Sequence, residues 1–217
     1  MAARIITFFN QKGGVGKTRL STETAGTLGW MGHKTLLADL DRQGTAIRIV
    51  SQADEESPFP ATCTNLSQHA KPHTEIHKHI EDYDFIVIDC PPNVEKESST
   101  ALLISDIAII PVGGSAEDLW ASHAAKQLAL HAQIKNPSLK IRTVSNNANP
   151  KTVLARDVIA ELERDEEIPL MKTRIGSRNA LKETAALGKV APQMFPRSNT
   201  ARREIEALTE EILEILA

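Results

Sequence analysis

The stretch Arg4-Ile-Ile-Thr-Phe-Phe-Asn-Gln-Lys-Gly-Gly-Val-Gly-Lys-Thr18 decides the fold. Its first half is a short apolar run, rich in β-branched and aromatic residues, of the kind that forms a strand buried on both faces. Its second half, Lys12-Gly-Gly-Val-Gly-Lys-Thr18, is a glycine-rich turn, and residues 19–32 continue it at helix length. Strand, glycine turn and helix in that order are the context that separates a phosphate loop from a chance match. Glycines let the backbone approach a phosphate closely. The N–H groups of residues 13–18 converge on it as a nest, and the helix N-terminus adds its positive dipole end. Lys17 is then the contact to the β- and γ-phosphates of ATP, and the Thr18 hydroxyl is the ligand of Mg²⁺. Gly13, Gly14, Val15, Gly16 and Arg19 complete the nucleotide-binding positions of the turn. One position departs from G-x-x-x-x-G-K-[ST]: Gln11 stands where the first glycine belongs, and a second lysine, Lys12, follows it.

Outward from this stretch, short apolar runs recur at residues 34–38, 85–89, 107–112 and 141–145, with a further candidate at 168–171, all separated by helix-length segments. Strands alternating with helices predict a doubly wound α/β fold with right-handed crossovers. The expectation is a single domain over residues 1–217, a seven- or eight-stranded mostly parallel sheet between helices, with nucleotide at the C-terminal ends of the strands. Residues 119–134 read as a helix, and residues 52–60, with acids and two prolines, as a surface loop. Thr200–Leu216 carries Ile205, Leu208, Ile212 and Leu216 at helical spacing and should dock on the body.

With 41 % hydrophobic and 24 % charged residues, the composition is that of a globular protein. No apolar run approaches the roughly 20 residues of a membrane span. The N-terminal apolar part is too short for a signal peptide, so a cytoplasmic protein without membrane attachment is expected. Cys63 and Cys90 lack C-x-x-C spacing and read as small buried residues. Trp30 and Trp120 are assigned to packing. His69, His73 and His77 fall at i, i+4, i+8 and His79 lies close by, but Pro72 interrupts the helix and no complete ligand set accompanies them, so a solvated segment is preferred over a metal site. The net charge of −3 hides a segregation. Eight basic residues (Lys172, Arg174, Arg178, Lys182, Lys189, Arg197, Arg202, Arg203) stand against the single acid Glu183 between residues 172 and 203, and five acids with no base follow.

Leu36-Leu-Ala-Asp-Leu-Asp-Arg-Gln-Gly44 places Asp39 and Asp41 at a strand end, two residues apart and therefore on one side. Phe85-Ile-Val-Ile-Asp-Cys-Pro-Pro92 ends a second strand on Asp89.

A lysine at the head of the loop resembles the signature lysine of the deviant Walker A family, which includes ParA partition ATPases, MinD and the nitrogenase iron protein. The resemblance implies that Lys12 reaches across an ATP sandwich dimer to neutralise charge on the partner's nucleotide. Residues 36–44 resemble the D-x-D-P-Q segment of ParA proteins. This implies that Asp39 supports Mg²⁺ through water and that Asp41 orients the attacking water, with Arg42 in place of the usual proline. Residues 85–92 look like Walker B, implying that Asp89 holds Mg²⁺ through its water shell. Lys12, Lys17 and Asp41 are thus the expected catalytic residues, and Thr18, Asp39 and Asp89 the expected metal site. Pro111-Val-Gly-Gly-Ser-Ala-Glu-Asp-Leu-Trp-Ala-Ser122 is similar to the P-V-x-x-S-x-x-D-x-W-A-S segment of small ParA proteins, and Ser145-Asn-Asn-Ala-Asn149 falls where that family contacts adenine. Asn146 is the candidate for the purine, with Asn147 adjacent and equally able to bond it.

The resemblance covers essentially the whole chain and implies a homodimer on ATP, non-specific nucleoid DNA binding, and a ParB-like or other cargo-adaptor partner that stimulates slow, Mg-dependent hydrolysis. Arg178, Lys182, Arg202 and Arg203 are the DNA candidates, since phosphate neutralisation by basic side chains needs no base readers. Plasmid or chromosome segregation follows as the function. The same machinery positioning a protein cargo such as carboxysomes is the alternative, and no helix-turn-helix precedes the first strand. A MinD-like membrane role needs a basic amphipathic C-terminal helix, and the last helix here is acidic on its polar face. An iron–sulfur branch needs interface cysteines, for which Cys63 and Cys90 are not placed.

Overall fold

The structure, a computed structural model, describes residues 2–92, 95–149 and 151–217. Seven strands, β1 (Arg4–Phe8), β2 (Thr35–Asp39), β3 (Thr62–Asn65), β4 (Phe85–Asp89), β5 (Ile107–Val112), β6 (Lys140–Ala148) and β7 (Ile175–Gly176), form one sheet in the order β3-β2-β4-β1-β5-β6-β7. Every pairing among them is parallel. Nine helices accompany the strands among the described residues: α1 (Lys17–Trp30), α2 (Thr45–Val50), α3 (Pro72–His77), α4 (Glu95–Ile104), α5 (Ala116–Lys135), α6 (Val153–Glu163), α7 (Asn179–Ala186), α8 (Ala191–Met194) and α9 (Thr200–Leu216).

A strand with period two buries alternate side chains on opposite faces, and both faces are covered here. Ile5, Ile86 and Ile88 enter the core shared with α3, α4, α5 and α6. Ile6, Phe8 and Val87 enter the other, with Leu20 and Leu28 of α1 and Ile205, Leu208 and Ile212 of α9. The α9 stripe is the one its spacing predicts. β1 lies between β4 and β5, and crossovers leave it in opposite directions, so a crevice opens at its C-terminal end.

The sheet is parallel throughout rather than mostly so, with seven strands. The edge strand β3, Thr-Cys-Thr-Asn, carried no apolar signal. Residues 168–171 contribute only a single parallel bridge, Leu170 to Thr143, and the last strand is Ile175–Gly176 instead. Cys90 is buried, whereas Cys63 on that edge strand is only half-buried. The packing assignment of the two tryptophans is corrected: Trp30 is 52 % and Trp120 66 % exposed. Pro72 starts α3 rather than interrupting a helix, because its missing N–H costs nothing at the first turn.

Candidate nucleotide site

β1 delivers the chain to the crevice, and the turn that follows is held by side chains as well as by its glycines. Asn10 donates to the Pro111 carbonyl at 2.9 Å and accepts from the Lys12 N–H at 3.0 Å, tying the turn to β5. Gly14 and Gly16 take φ of 78° and 95°, where a side chain is strained. A Cβ on Gly16 would also lie 2.0 Å from Asn146 Nδ2. Gly16 is the N-cap of α1 and has no side chain to satisfy its first-turn N–H groups, and no acid sits in that turn. An uncapped helix end facing a crevice offers its donors to an anion.

Lys17 is buried and donates to the Lys12 carbonyl at 3.0 Å, which folds its ammonium back over the turn. Burial lowers its pKa, while the charges of Asp89, Cys90 and Asp41 raise it. Those raising charges lie at the end of β4 and in the segments just after β4 and β2, strands that end beside the turn. Asp39 and Asp89 are register partners and neither is exposed to solvent.

The two carboxylates are nonetheless in different states. Asp39 accepts the N–H groups of Asp41 (2.9 Å), Ala46 (3.2 Å) and Ile47 (3.4 Å), so it caps α2 and shapes the loop that carries Asp41. Burial raises its pKa, and these bonds oppose the rise. Asp89 has no hydrogen bond to either oxygen. Burial pushes it up to about 7, with the nearby Thr18 hydroxyl and Lys17 opposing and Asp39 adding to the rise. A fully buried carboxylate with two unmet oxygens, beside the Thr18 hydroxyl, fits the water shell of a divalent cation. Among the described residues no group of three His, Cys, Asp or Glu side chains is gathered to hold a metal. That suits Mg²⁺, which keeps most of its waters and takes phosphate oxygens.

Asp41 accepts the Gln43 N–H at 2.9 Å at the head of the loop after β2. Lys12 Nζ donates to Asp118 Oδ1 at 2.6 Å, within its own chain. Asp118 Oδ2 accepts the Ser115 N–H and hydroxyl, and Ser115 in turn accepts the Asp118 N–H, a capping box at the start of α5. Burial raises the Asp118 pKa, but the Lys12 ammonium and Ser115 more than offset this and hold it below the usual range. Asp118 went unassigned from sequence, although Ser115-x-x-Asp118 is a capping-box spacing that points to it.

Asn146, at the end of β6, donates to the Val15 carbonyl at 2.7 Å, so it braces the turn directly. Asn147 takes φ of 54° and is exposed. A cleft of about 190 Å³ beside Asn146 is lined by Gly16, Arg19, Leu181, Arg178 and Lys182. Arg178 and Lys182, read as DNA contacts, therefore border the nucleotide crevice. Arg178 is also engaged by Glu204, at 2.6 and 3.1 Å. Arg202 is held by Glu206 at 2.8 Å and donates to the Pro192 and Phe195 carbonyls, with only 13 % of its side chain exposed. Lys182 and Arg203 are exposed.

Glu23 is a further residue that sequence reasoning passed over. It is buried in α1 and accepts the Thr184 hydroxyl of α7 and the Ala191 N–H of α8. Burial pushes its carboxyl up to about 7 against these bonds. It braces the helix that starts at the turn from the C-terminal side of the molecule. No pattern marks a single carboxylate on a helix as buried, so no local signal could have found it.

Comparison with known proteins agrees with this geometry. Residues 6–191 match the model of the CobQ/CobB/MinD/ParA nucleotide binding domain. The maintenance of carboxysome distribution protein A of Halothiobacillus neapolitanus is 30 % identical over 205 residues, 94 % of each chain. The sporulation initiation inhibitor protein Soj of Bacillus subtilis is 27 % identical over 249 aligned positions, covering 95 % of this chain and 97 % of Soj. Among solved structures, the McdA–ATP complex of Cyanothece superposes with a TM-score of 0.77 at 12 % identity, covering 97 % of this chain and 96 % of that one. The cell division ATPase MinD of Pyrococcus furiosus superposes at 0.74 and 20 % identity, over 98 % and 99 %. With a matching model over most of its length and a phosphate turn, uncapped helix and paired strand-end carboxylates in one crevice, this chain belongs to the CobQ/CobB/MinD/ParA nucleotide-binding family.

Proposed function

We propose that the protein is a Mg-dependent ATP hydrolase of the ParA type. It forms an ATP sandwich dimer, binds nucleoid DNA without sequence preference, and segregates plasmid or chromosomal DNA with a ParB-like partner that stimulates hydrolysis. The observation that carries this reading is the convergence on one turn of two lysines and three strand-end carboxylates, with Asp41 and Asp89 acting on the Lys17 charge. In this reading Lys17 and the N–H groups of residues 13–18 hold the phosphates, and Arg19 and Asn146 face the base end. Thr18, Asp39 and Asp89 hold Mg²⁺ and its waters, and Asp41 orients the attacking water. The metal supplies charge neutralisation at the phosphates when bound. Lys12 leaves Asp118 when a second copy brings its nucleotide within reach, so turnover is slow until dimer and partner assemble.

DNA binding falls to the exposed Lys182 and Arg203, with Arg178 and Arg202 as supports beneath them. The test is retention of the dimer, locked by a non-hydrolysable ATP analogue, on non-specific duplex DNA. Retention that falls steeply with salt supports the reading, and none at low salt overturns it. A second reading is favoured by the 30 % identity to a carboxysome distribution protein. The same cycle would then position a protein cargo, and stimulation of turnover by a cargo-bound adaptor rather than a centromere-binding protein distinguishes the two.

A further inference from the structure

On the β3 side of the nucleotide crevice lies a concavity of about 430 Å³, larger than either cleft beside Asn146. Its walls come from three places: Arg42 from the loop after β2, His69 and Lys71 from the segment before α3 with His73 from its first turn, and Lys96 and Glu97 from α4. Arg42, Lys71 and Lys96 are exposed, and none forms an ion pair with a described carboxylate. Among the described residues Glu97 is the one acid in the lining. Three fixed cations against one carboxylate leave a surplus of positive charge inside a concave surface, where the field is focused on whatever enters. His73 and Glu97 each also bury one polar atom, Nδ1 and Oε2, out of reach of solvent, so what they offer the concavity is the rest of their side chains.

We infer that this pocket binds a small phosphomonoester carrying a hydroxyl or ammonium donor, its phosphate held by Arg42, Lys71 and Lys96 and its donor by Glu97. The volume is within the range of small-molecule sites. Charge-assisted bonds from several cations suit a dianionic phosphate better than a monoanion. A carboxylate in the same lining repels a bare phosphate and accepts from a hydroxyl or ammonium carried beside it. The placement gives the ligand a consequence. Arg42 follows Asp41 directly, and Lys96 lies on the helix that follows Asp89, so an anion between them fastens together the two segments that meet at the nucleotide. The site is separate from the phosphate turn, none of whose residues line it.

The test is a titration of the full chain, saturated with a non-hydrolysable ATP analogue and Mg²⁺ so that the phosphate turn is filled. The ring signals of His69 and His73 are followed by NMR, with His123 and His131 as controls, and the probes are glycerol 3-phosphate, inorganic phosphate and chloride at matched ionic strength. The expected result is saturable movement of His69 and His73 alone with a dissociation constant on the order of 1 mM or tighter for glycerol 3-phosphate, and weaker binding of inorganic phosphate. A Lys71→Ala, Lys96→Ala double variant, checked by an unchanged melting temperature, should bind at least about tenfold more weakly. Equal responses to chloride and to phosphate would overturn the assignment, as would an undiminished affinity in the double variant. An acidic peptide that binds while the phosphomonoester does not would also overturn it in favour of a protein partner. The readout needs neither hydrolysis nor DNA, so it stands apart from the partition reading.

Discussion

Replacing Asp89 by asparagine tests the physics of the site before any nucleotide is added. Asp89 has no solvent exposure and no hydrogen bond to either oxygen, and its pKa is pushed from 3.8 up to about 7. In metal- and nucleotide-free protein, the folded chain must either hold a proton on this carboxyl or keep a desolvated charge. Between pH 4 and pH 7 the folded state binds a proton that the unfolded state has released, so stability falls as pH rises through that interval and levels off above it. At 1.36 kcal/mol per pH unit, the rise corresponds to about 4 kcal/mol at pH 8. An isosteric neutral amide removes that cost. Asp89→Asn should therefore stabilise the nucleotide-free protein by up to about 4 kcal/mol at pH 8, or on the order of 10 °C in melting temperature for a chain of this size. The gain should shrink to about 1–2 kcal/mol at pH 5 and vanish below pH 4. The assay is urea unfolding in EDTA at several pH values, repeated with Mg²⁺ and an ATP analogue. In the second series the Mg²⁺ role proposed for Asp89 predicts that the order reverses, since only the parent carboxylate offers the cation a charge. A variant no more stable than the parent without nucleotide, or a gain that does not change with pH, would show that burial of charge at Asp89 is not what the site stores.

Gly16→Ala should abolish nucleotide binding and lower the denaturation midpoint, since φ of 95° costs about 1–2 kcal/mol for any residue with a Cβ and the new methyl meets the Asn146 amide. Adding Asn146→Ala should recover part of the midpoint and none of the binding, because it removes the clash but leaves the φ strain. Asp118→Asn weakens the Lys12 pair and the α5 capping box, for a loss of about 1 kcal/mol and a fall of roughly 2–4 °C by calorimetry. Lys182→Ala and Arg203→Ala should each reduce the slope of log affinity against log salt for duplex DNA by about 1 with little change in stability. Arg202→Ala should instead destabilise the fold by about 1–3 kcal/mol, because it leaves two carbonyls and Glu206 without their donor.

Local chemistry made some elements readable and left others invisible. β1, β4 and β5 announce themselves because both of their faces are buried, which forces near-continuous apolar runs rich in Ile and Val, and β2 does so through Leu36-Leu-Ala38. β3 does not, because an edge strand of Thr-Cys-Thr-Asn buries little and is recruited only by pairing with β2. Trp30 and Trp120 show the converse: an aromatic on a helix looks like core until the neighbouring elements fail to cover it.

The phosphate turn, the alternation of the apolar strands with helices, and the placement of Asp39, Asp41 and Asp89 at or just past strand ends were legible from residues alone, because each depends on backbone conformation or on spacing within a few residues. Only the tertiary structure decided what the long side chains do. Lys12 and Asp118 are 106 residues apart, Asn146 and Val15 131 apart, and Glu23 and Ala191 168 apart. Arg202, one of a run of similar bases in the sequence, is a buried brace, whereas Arg203 faces water. A charge's role depends on what desolvates it and what pairs with it, and both come from parts of the chain that meet only on folding.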